Sequence, residues 1–136
     1  MSRDREIVAP DFMATLVESG NYAPAVRVGD LLYVSGQVGR DRALVPVTSS
    51  LEAHIEAVFD NLLAVLAAAG CAAHDVVELV SYHTDVPAQM PTFQAIKRRH
   101  FGDPTHLPAW TAVGVAQLNS PDFLVEVKAV AVVPGR

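Results

Sequence analysis

The stretch SSLEAHIEAVFDNLLAVLAAAG, residues 49–70, constrains the chain more than any other. Leu51, Ile55, Val58, Leu62, Val65 and Ala69 recur every three or four residues, which is one apolar stripe along a helix. Glu52, Glu56, Asp60 and Asn61 fall mostly on the other side. Ser49 and Glu52 have the spacing of a capping box, and Gly70 stands where a left-handed residue closes a helix. A helix with one apolar stripe must bury it against a second layer.

The flanking segments are β-type and supply that layer. FMATLV (12–17) and AVRVGDLLYVSGQ (25–37) are predicted strands, with Gly29-Asp30 turning a hairpin inside the second run. GRDRALVP (39–46) is a polar loop. DVVELVSYHTDV (75–86) is a further predicted strand, and Pro91 opens a second predicted helix that runs to Gly102. AWTAVGVAQL (109–118) and FLVEVKAVAVV (123–133) close the chain as strands, joined by the turn residues NSPD (119–122). The order β-β-β-α-β-α-β-β predicts one α+β domain over residues 1–136, a mixed sheet with both helices on one face. The other face is then uncovered. With 136 residues and 51% hydrophobic content, that face is expected to pack against copies of the chain.

Charge and composition narrow the function classes. The formal net charge is −5, which argues against nucleic-acid binding, because such affinity comes mostly from a basic surface. The basic run KRRH (97–100) reads as the solvated end of a helix, where cations suit the dipole. No long apolar segment opens the chain and none approaches a membrane span, so a soluble cytoplasmic protein with no membrane partner is expected. The one cysteine, Cys71, follows Gly70 and reads as a buried or capping residue. No histidine pair has metal-ligand spacing on a helix, so no metal site is expected. His54, His74, His100 and His106 read as solvated. Ser81, His83 and Asp85 share one face of a strand, which reads as a solvent-facing polar stripe.

Three places carry candidate chemistry. Glu126 lies within an apolar strand, where a carboxylate is costly if buried alone. It either shares a solvated or interface face with Lys128 or faces a pocket and activates water; spacing alone favours the first. In YVSGQVG (33–39), Gly36 marks a strand-end bulge or leaves backbone groups open to a ligand. Trp110, the chain's single tryptophan, is either a core filler or the wall of a site.

GNYAPAVRVGDLLYVSGQVG, NLLAVLAAAGCAAHDVVE and LPAWTAVGVAQL followed by LVEVKAVAV together resemble the RidA (YjgF) enamine/imine deaminase family from about Tyr22 to Val132. The resemblance implies a chorismate-mutase-like fold and a homotrimer with pockets between adjacent subunits. It also implies cofactor-free hydrolysis of a small imine or enamine to a ketone and ammonia. Site residues carry over one by one: Tyr22, Ser35, Gly36 and Gln37 for substrate binding, and Glu126 to position the catalytic water. The last assignment reverses the reading from spacing. Gln94 matches a family asparagine, and Trp110 stands where the family's carboxylate-gripping arginine would be. Trp110 is therefore expected to line the site and to shift it toward a less anionic, flatter or larger substrate, with Arg27 or Arg40 as possible sources of a displaced charge. Loss of that arginine keeps open a non-catalytic trimer that binds a metabolite or a partner, and an enzyme of altered chemistry. The acidic balance disfavours ribonuclease action.

Overall fold

A computed structural model describes residues 4–135. Among these residues six strands form one mixed sheet: β1 (Arg5–Val8), β2 (Ala25–Val28), β3 (Leu31–Val38), β4 (Val76–His83), β5 (Ala109–Gly114) and β6 (Val125–Val132). The spatial order is β1-β2-β3-β6-β4-β5, with β4 and β5 parallel and every other pair antiparallel. Two long helices, α2 (Leu51–Ala68) and α3 (Val86–Phe101), cover one face, and a short helix, α1 (Ala14–Glu18), precedes β2. The predicted α+β class and the two-helix layer both hold.

Alternation along the central strands sets the layers. Leu32 and Val34 of β3, Val125, Val127, Ala129 and Ala131 of β6 and Leu79 of β4 are buried toward the helices. Ile55, Val58, Phe59, Leu62, Val65 and Leu66 of α2 and Phe93 and Ile96 of α3 meet them. Fully burying one such side chain contributes roughly 1.5–3 kcal/mol, so these residues fix the register of the whole sheet. The other face carries Ile7, Val26, Leu31, Tyr33, Val130 and Val132, of which Tyr33 is 49% and Ile7 51% exposed. No helix of the described residues covers it.

The structure corrects several boundaries. Residues 12–17 are not a strand. Asp11–Met13 is a 3-10 turn that leads into α1, because Phe12, Met13, Leu16 and Val17 follow a helical spacing and do not alternate. The first strand lies before them, at β1. Helix α2 is capped by Ser50, one residue later than expected, whose hydroxyl accepts from Ala53 N–H at 3.0 Å. Its end is as expected: Gly70 has φ +77°, Gly70 N–H bonds Ala67 C=O, and Cys71 N–H reaches back to Leu66 C=O at 2.9 Å. Cys71 is buried there. Helix α3 starts at Val86, not at Pro91. Asp85 caps it by accepting from Ala88 N–H, Pro87 occupies the first turn, and Pro91 sits inside the helix.

Buried polar groups account for the remaining differences. Asn61 and His54 of α2 are not on a solvated side. Asn61 donates to the carbonyls of Val38 and Arg40 at 3.0 and 2.8 Å. His54 Nδ1 meets Val47 C=O at 2.8 Å, and its Nε2 accepts from Leu124 N–H at 3.1 Å, so both ring nitrogens are tied to backbone. A Cβ at Gly39 would lie 2.5 Å from that ring, so Gly39 makes room for it. Ser81 and His83 are also fully buried, facing the helices, while Asp85 has left the strand to cap α3. His83 Nε2 lies 2.8 Å from Ser81 Oγ, its ring stands edge-on to Phe93, and its Nδ1 is buried without a hydrogen bond.

Burial pushes the His83 pKa down, with a smaller opposing pull from the Gln89 side chain. The folded state thus disfavours the proton that the unfolded chain accepts near pH 6.5. This contribution to stability is complete above that pH and is lost as pH falls toward the lower folded value, at up to about 1.4 kcal/mol per pH unit. Thermal melts between pH 8 and pH 5 should show the natural protein losing stability faster than His83→Gln below ~pH 6.5. Parallel curves for the two proteins would remove His83 from the acid response.

Candidate functional site

The predicted site residues fall into two groups. The first gathers where β3 and β6 lose register, between Val34 and Gln37. There Tyr22 donates its hydroxyl to Gly36 C=O at 2.9 Å and accepts from Gln37 Nε2 at 2.8 Å. The same amide donates to Ser35 C=O at 3.1 Å. Ser35 is tied to the segment before β2: its hydroxyl donates to Ala23 C=O and its N–H to Pro24 C=O. Ser35 and the fully buried Gln37 therefore hold the Tyr22 segment in place, and their polar atoms face their own chain.

Glu126 belongs to this group. It pairs with Val38 and Tyr82 on the sheet face away from the helices. Gly36 admits it: a Cβ there would stand 2.5 Å from the Glu126 carboxyl carbon. The carboxyl is half-buried and makes no hydrogen bond or ion pair among the described residues. Burial raises its pKa, and Lys128 pulls weakly the other way. Burial also raises the pKa of Tyr22, opposed first by Arg40 and then by the hydrogen bond from Gln37. The arrangement can take up a proton at Glu126 beside a backbone left bare at Gly36. Next to it on the open face, Tyr33, Ser35, Gly36, Glu78 and Lys128 line a depression of about 410 Å³.

The second group lies on the helix side. Trp110 is aligned with Leu79 and, through it, Ala129, so its side chain points toward α3 and away from the face of Glu126. It is half-buried and stacks on Phe93 with ring centroids 5.8 Å apart. Its Nε1–H donates to Ser81 Oγ at 2.9 Å, which continues to His83. The Lys97 ammonium lies 4.4 Å from the centre of the indole. Trp110, Gln94, Lys97, Arg98 and Leu107 line a cleft of about 380 Å³.

Trp110 is thus both a packing residue and a wall. Its core role is fixed by Phe93 and Ser81, and its remaining surface borders the cleft. Within one chain the structure does not bring Gln94 and Trp110 together with Glu126. Within one chain Arg27 and Arg40 lie away from the Trp110 cleft. Arg27 Nε donates to Gly29 C=O, and Arg40 lines a separate hollow beside Asp60 and Asn61. Sequence reasoning missed Lys97, which it read as part of a solvated helix end. Its only signal was a position one turn before that end, on the face that carries Gln94. It also missed the buried Ser81–His83 pair, because period-two alternation does not say which face meets the helices.

Comparison with known proteins follows the same lines. A protein-family model described as Endoribonuclease L-PSP matches residues 13–133. The RutC family protein YjgH of Escherichia coli is 40% identical over 131 residues, covering 96% of this chain and 97% of that protein. A solved structure of protein YjgH superposes with a TM-score of 0.86 at 38% identity, over 98% of this chain and 99% of that one. A 2-iminobutanoate/2-iminopropanoate deaminase of Dermatophagoides farinae is 31% identical over 84% of this chain and 87% of its own length. RidA from an Antarctic Psychrobacter superposes with a TM-score of 0.75 at 32% identity, over 83% of this chain and 89% of that one. With its sheet, its helices and nearly its whole length accounted for, the chain belongs to the Endoribonuclease L-PSP family, the RidA/YjgF group of proteins.

Proposed function

We propose that this protein is a cofactor-independent hydrolase of a small imine or enamine, acting at pockets between adjacent subunits of a homotrimer. The observation that carries the reading is Glu126: a half-buried carboxyl of raised proton affinity, without a bonding partner of its own, set over the bare backbone of Gly36. Such a group, with its proton affinity raised by burial, is suited to accept and return a proton. The family relative named a 2-iminobutanoate/2-iminopropanoate deaminase supports the same chemistry.

The reaction asks little of the protein. Water adds to the carbon of the C=N bond while Glu126 takes one of its protons and passes it to nitrogen. The carbinolamine then collapses: the C–N bond breaks, the C=O bond forms, and the hydroxyl proton leaves with the nitrogen as ammonia. An enamine enters the same path once its carbon is protonated. Tyr22 and Gln37 act by holding the Gly36 loop, and through it the space for Glu126.

Assembly supplies what one chain lacks. Glu126 and Trp110 lie on opposite faces of the sheet, so a pocket that uses both needs a second subunit. The apolar face with Ile7, Tyr33 and Val132 is the surface such a neighbour would cover. The competing reading is a non-catalytic trimer that binds a metabolite or a partner. It is favoured by Trp110, which replaces the arginine that the resemblance implies.

Two measurements test these statements. Light scattering at micromolar protein should return the mass of a trimer; a monomer would remove both the assembly and the shared pocket. Ammonia release should be followed on a panel of neutral and anionic imines. Glu126→Gln should slow the natural rate by about 10²–10⁴-fold and leave the trimer intact. An unchanged rate would make Glu126 an interface carboxylate, and a natural protein without activity on any imine would leave the binding reading in place.

A further inference from the structure

Trp110, Ser81 and His83 form one line of hydrogen bonds that runs from the cleft into the core. Trp110 Nε1–H can only donate, so Ser81 Oγ accepts it at 2.9 Å. The Ser81 hydroxyl hydrogen then finds one acceptor among the described residues, His83 Nε2 at 2.8 Å. In that arrangement the His83 proton sits on Nδ1, which is buried without a hydrogen bond. The other tautomer would strand the Ser81 hydroxyl as well, so the first leaves fewer groups unpaired.

A second proton on His83 changes the line. Both ring nitrogens then donate, and Nε2 no longer accepts from Ser81. Ser81 Oγ must receive the Nε2–H, while its own hydroxyl hydrogen loses its acceptor. His83 and Ser81 are shut off from solvent. Trp110 is half-buried at the cleft, where its N–H can turn to water. The end of the line that can yield is therefore the indole. Packing joins the same residues: the Phe93 ring stands edge-on to His83, centroids 4.7 Å apart, and stacks on Trp110 at 5.8 Å.

Among the described residues no charge offsets that second proton. Val125 lies across from His83 on β6 and Gly114 on β5, and Glu126 points to the other face of the sheet. From α3 come Phe93 and the neutral amide of Gln89, and Phe59 of α2 packs behind Phe93. Asp85 is engaged as the cap of α3. The charged group on the line is Lys97 at its far end, 4.4 Å from the centre of the indole, and it is of like sign. Burial of His83, opposed only by Gln89, makes it resist the proton.

We propose that Ser81 and His83 are a buried proton switch beneath the cleft. Neutral His83 holds the Trp110 indole in place through Ser81. A proton on His83 reverses the Ser81–His83 bond, frees the indole N–H and loosens the wall of the cleft. The switch depends neither on what the cleft binds nor on hydrolysis, so its failure and the failure of the hydrolase reading are separate results.

The chain has a single tryptophan, so isotopically labelled protein shows one indole N–H resonance. That resonance is followed from pH 8 to pH 5 beside the His83 ring protons, with circular dichroism to confirm that the protein stays folded. The indole signal should move upfield as its hydrogen bond is lost, and it should share one midpoint with His83, below ~pH 6.5. His83→Gln should abolish the movement. Ser81→Ala should leave His83 titrating but start with the indole already upfield and unresponsive; it carries the test alone if His83→Gln does not fold. Lys97→Met and His100→Gln should both retain the movement. An indole signal that stays in place until the protein unfolds overturns the proposal. So does a response that survives in Ser81→Ala, or one that disappears in Lys97→Met.

Discussion

The antiparallel pairing of β3 with β6 is the contact on which the rest of the molecule depends. It lies in the middle of the sheet, and its alternation decides which residues face α2 and α3 and which face outward. From Leu31↔Val132 to Val34↔Ala129 the ladder is regular. Register then shifts before Gln37↔Val127, and the irregularity falls at Ser35 and Gly36. A bulge of this kind re-aims side chains locally without disturbing the strands on either side. Here it lets the Glu126 carboxyl lie against a residue with no side chain, and it turns the Gly36 carbonyl toward Tyr22. The packing that specifies the fold and the defect that makes room for Glu126 share one pair of strands.

Buried polar groups lock this arrangement from the helix side. Asn61 and His54, both on α2, hold the carbonyls and N–H groups where β3 ends and β6 begins. Each ties backbone of the flanking segments to α2, Asn61 at Val38 and Arg40 and His54 at Val47 and Leu124. Under β5 the chain Trp110–Ser81–His83 does similar work, but it is incomplete, since His83 Nδ1 has no partner. That open end ties the cleft wall to a group that resists protonation. The indole's orientation, and with it the seat of Lys97, depends on a core that is polar along one line.

The cleft also changes how the residue at position 110 is to be understood. An arginine there would carry its own charge into the site. A tryptophan carries none, and taken alone it suggests a neutral ligand. Its neighbours alter that picture: the Lys97 ammonium on α3 lies 4.4 Å from the centre of the ring. Charge in a site is a property of the folded neighbourhood, and one position cannot settle it.

What was legible in the sequence was whatever rests on local periodicity and on short chain separations. The apolar stripe from Leu51 to Val65, the turn at Gly29, the Schellman close at Gly70 and Cys71, and the α+β order all follow from contacts within a few residues. The motifs around Tyr22, Gly36 and Glu126 were legible through the family resemblance. The misplaced elements were those in which two local rules compete. Residues 12–17 mix β-branched and helical character, and Pro91 marks a helix start as readily as it tolerates a second turn. What tertiary structure alone decided was the side of the sheet on which each side chain falls. Ser81 and His83 alternate like a solvated stripe, yet the helices lie on their side. Glu126 and Trp110 read as one site, yet the β6–β4–β5 register turns them to opposite faces. Alternation fixes that neighbours in a strand differ in facing; only the packing of the second layer fixes which of them is inside.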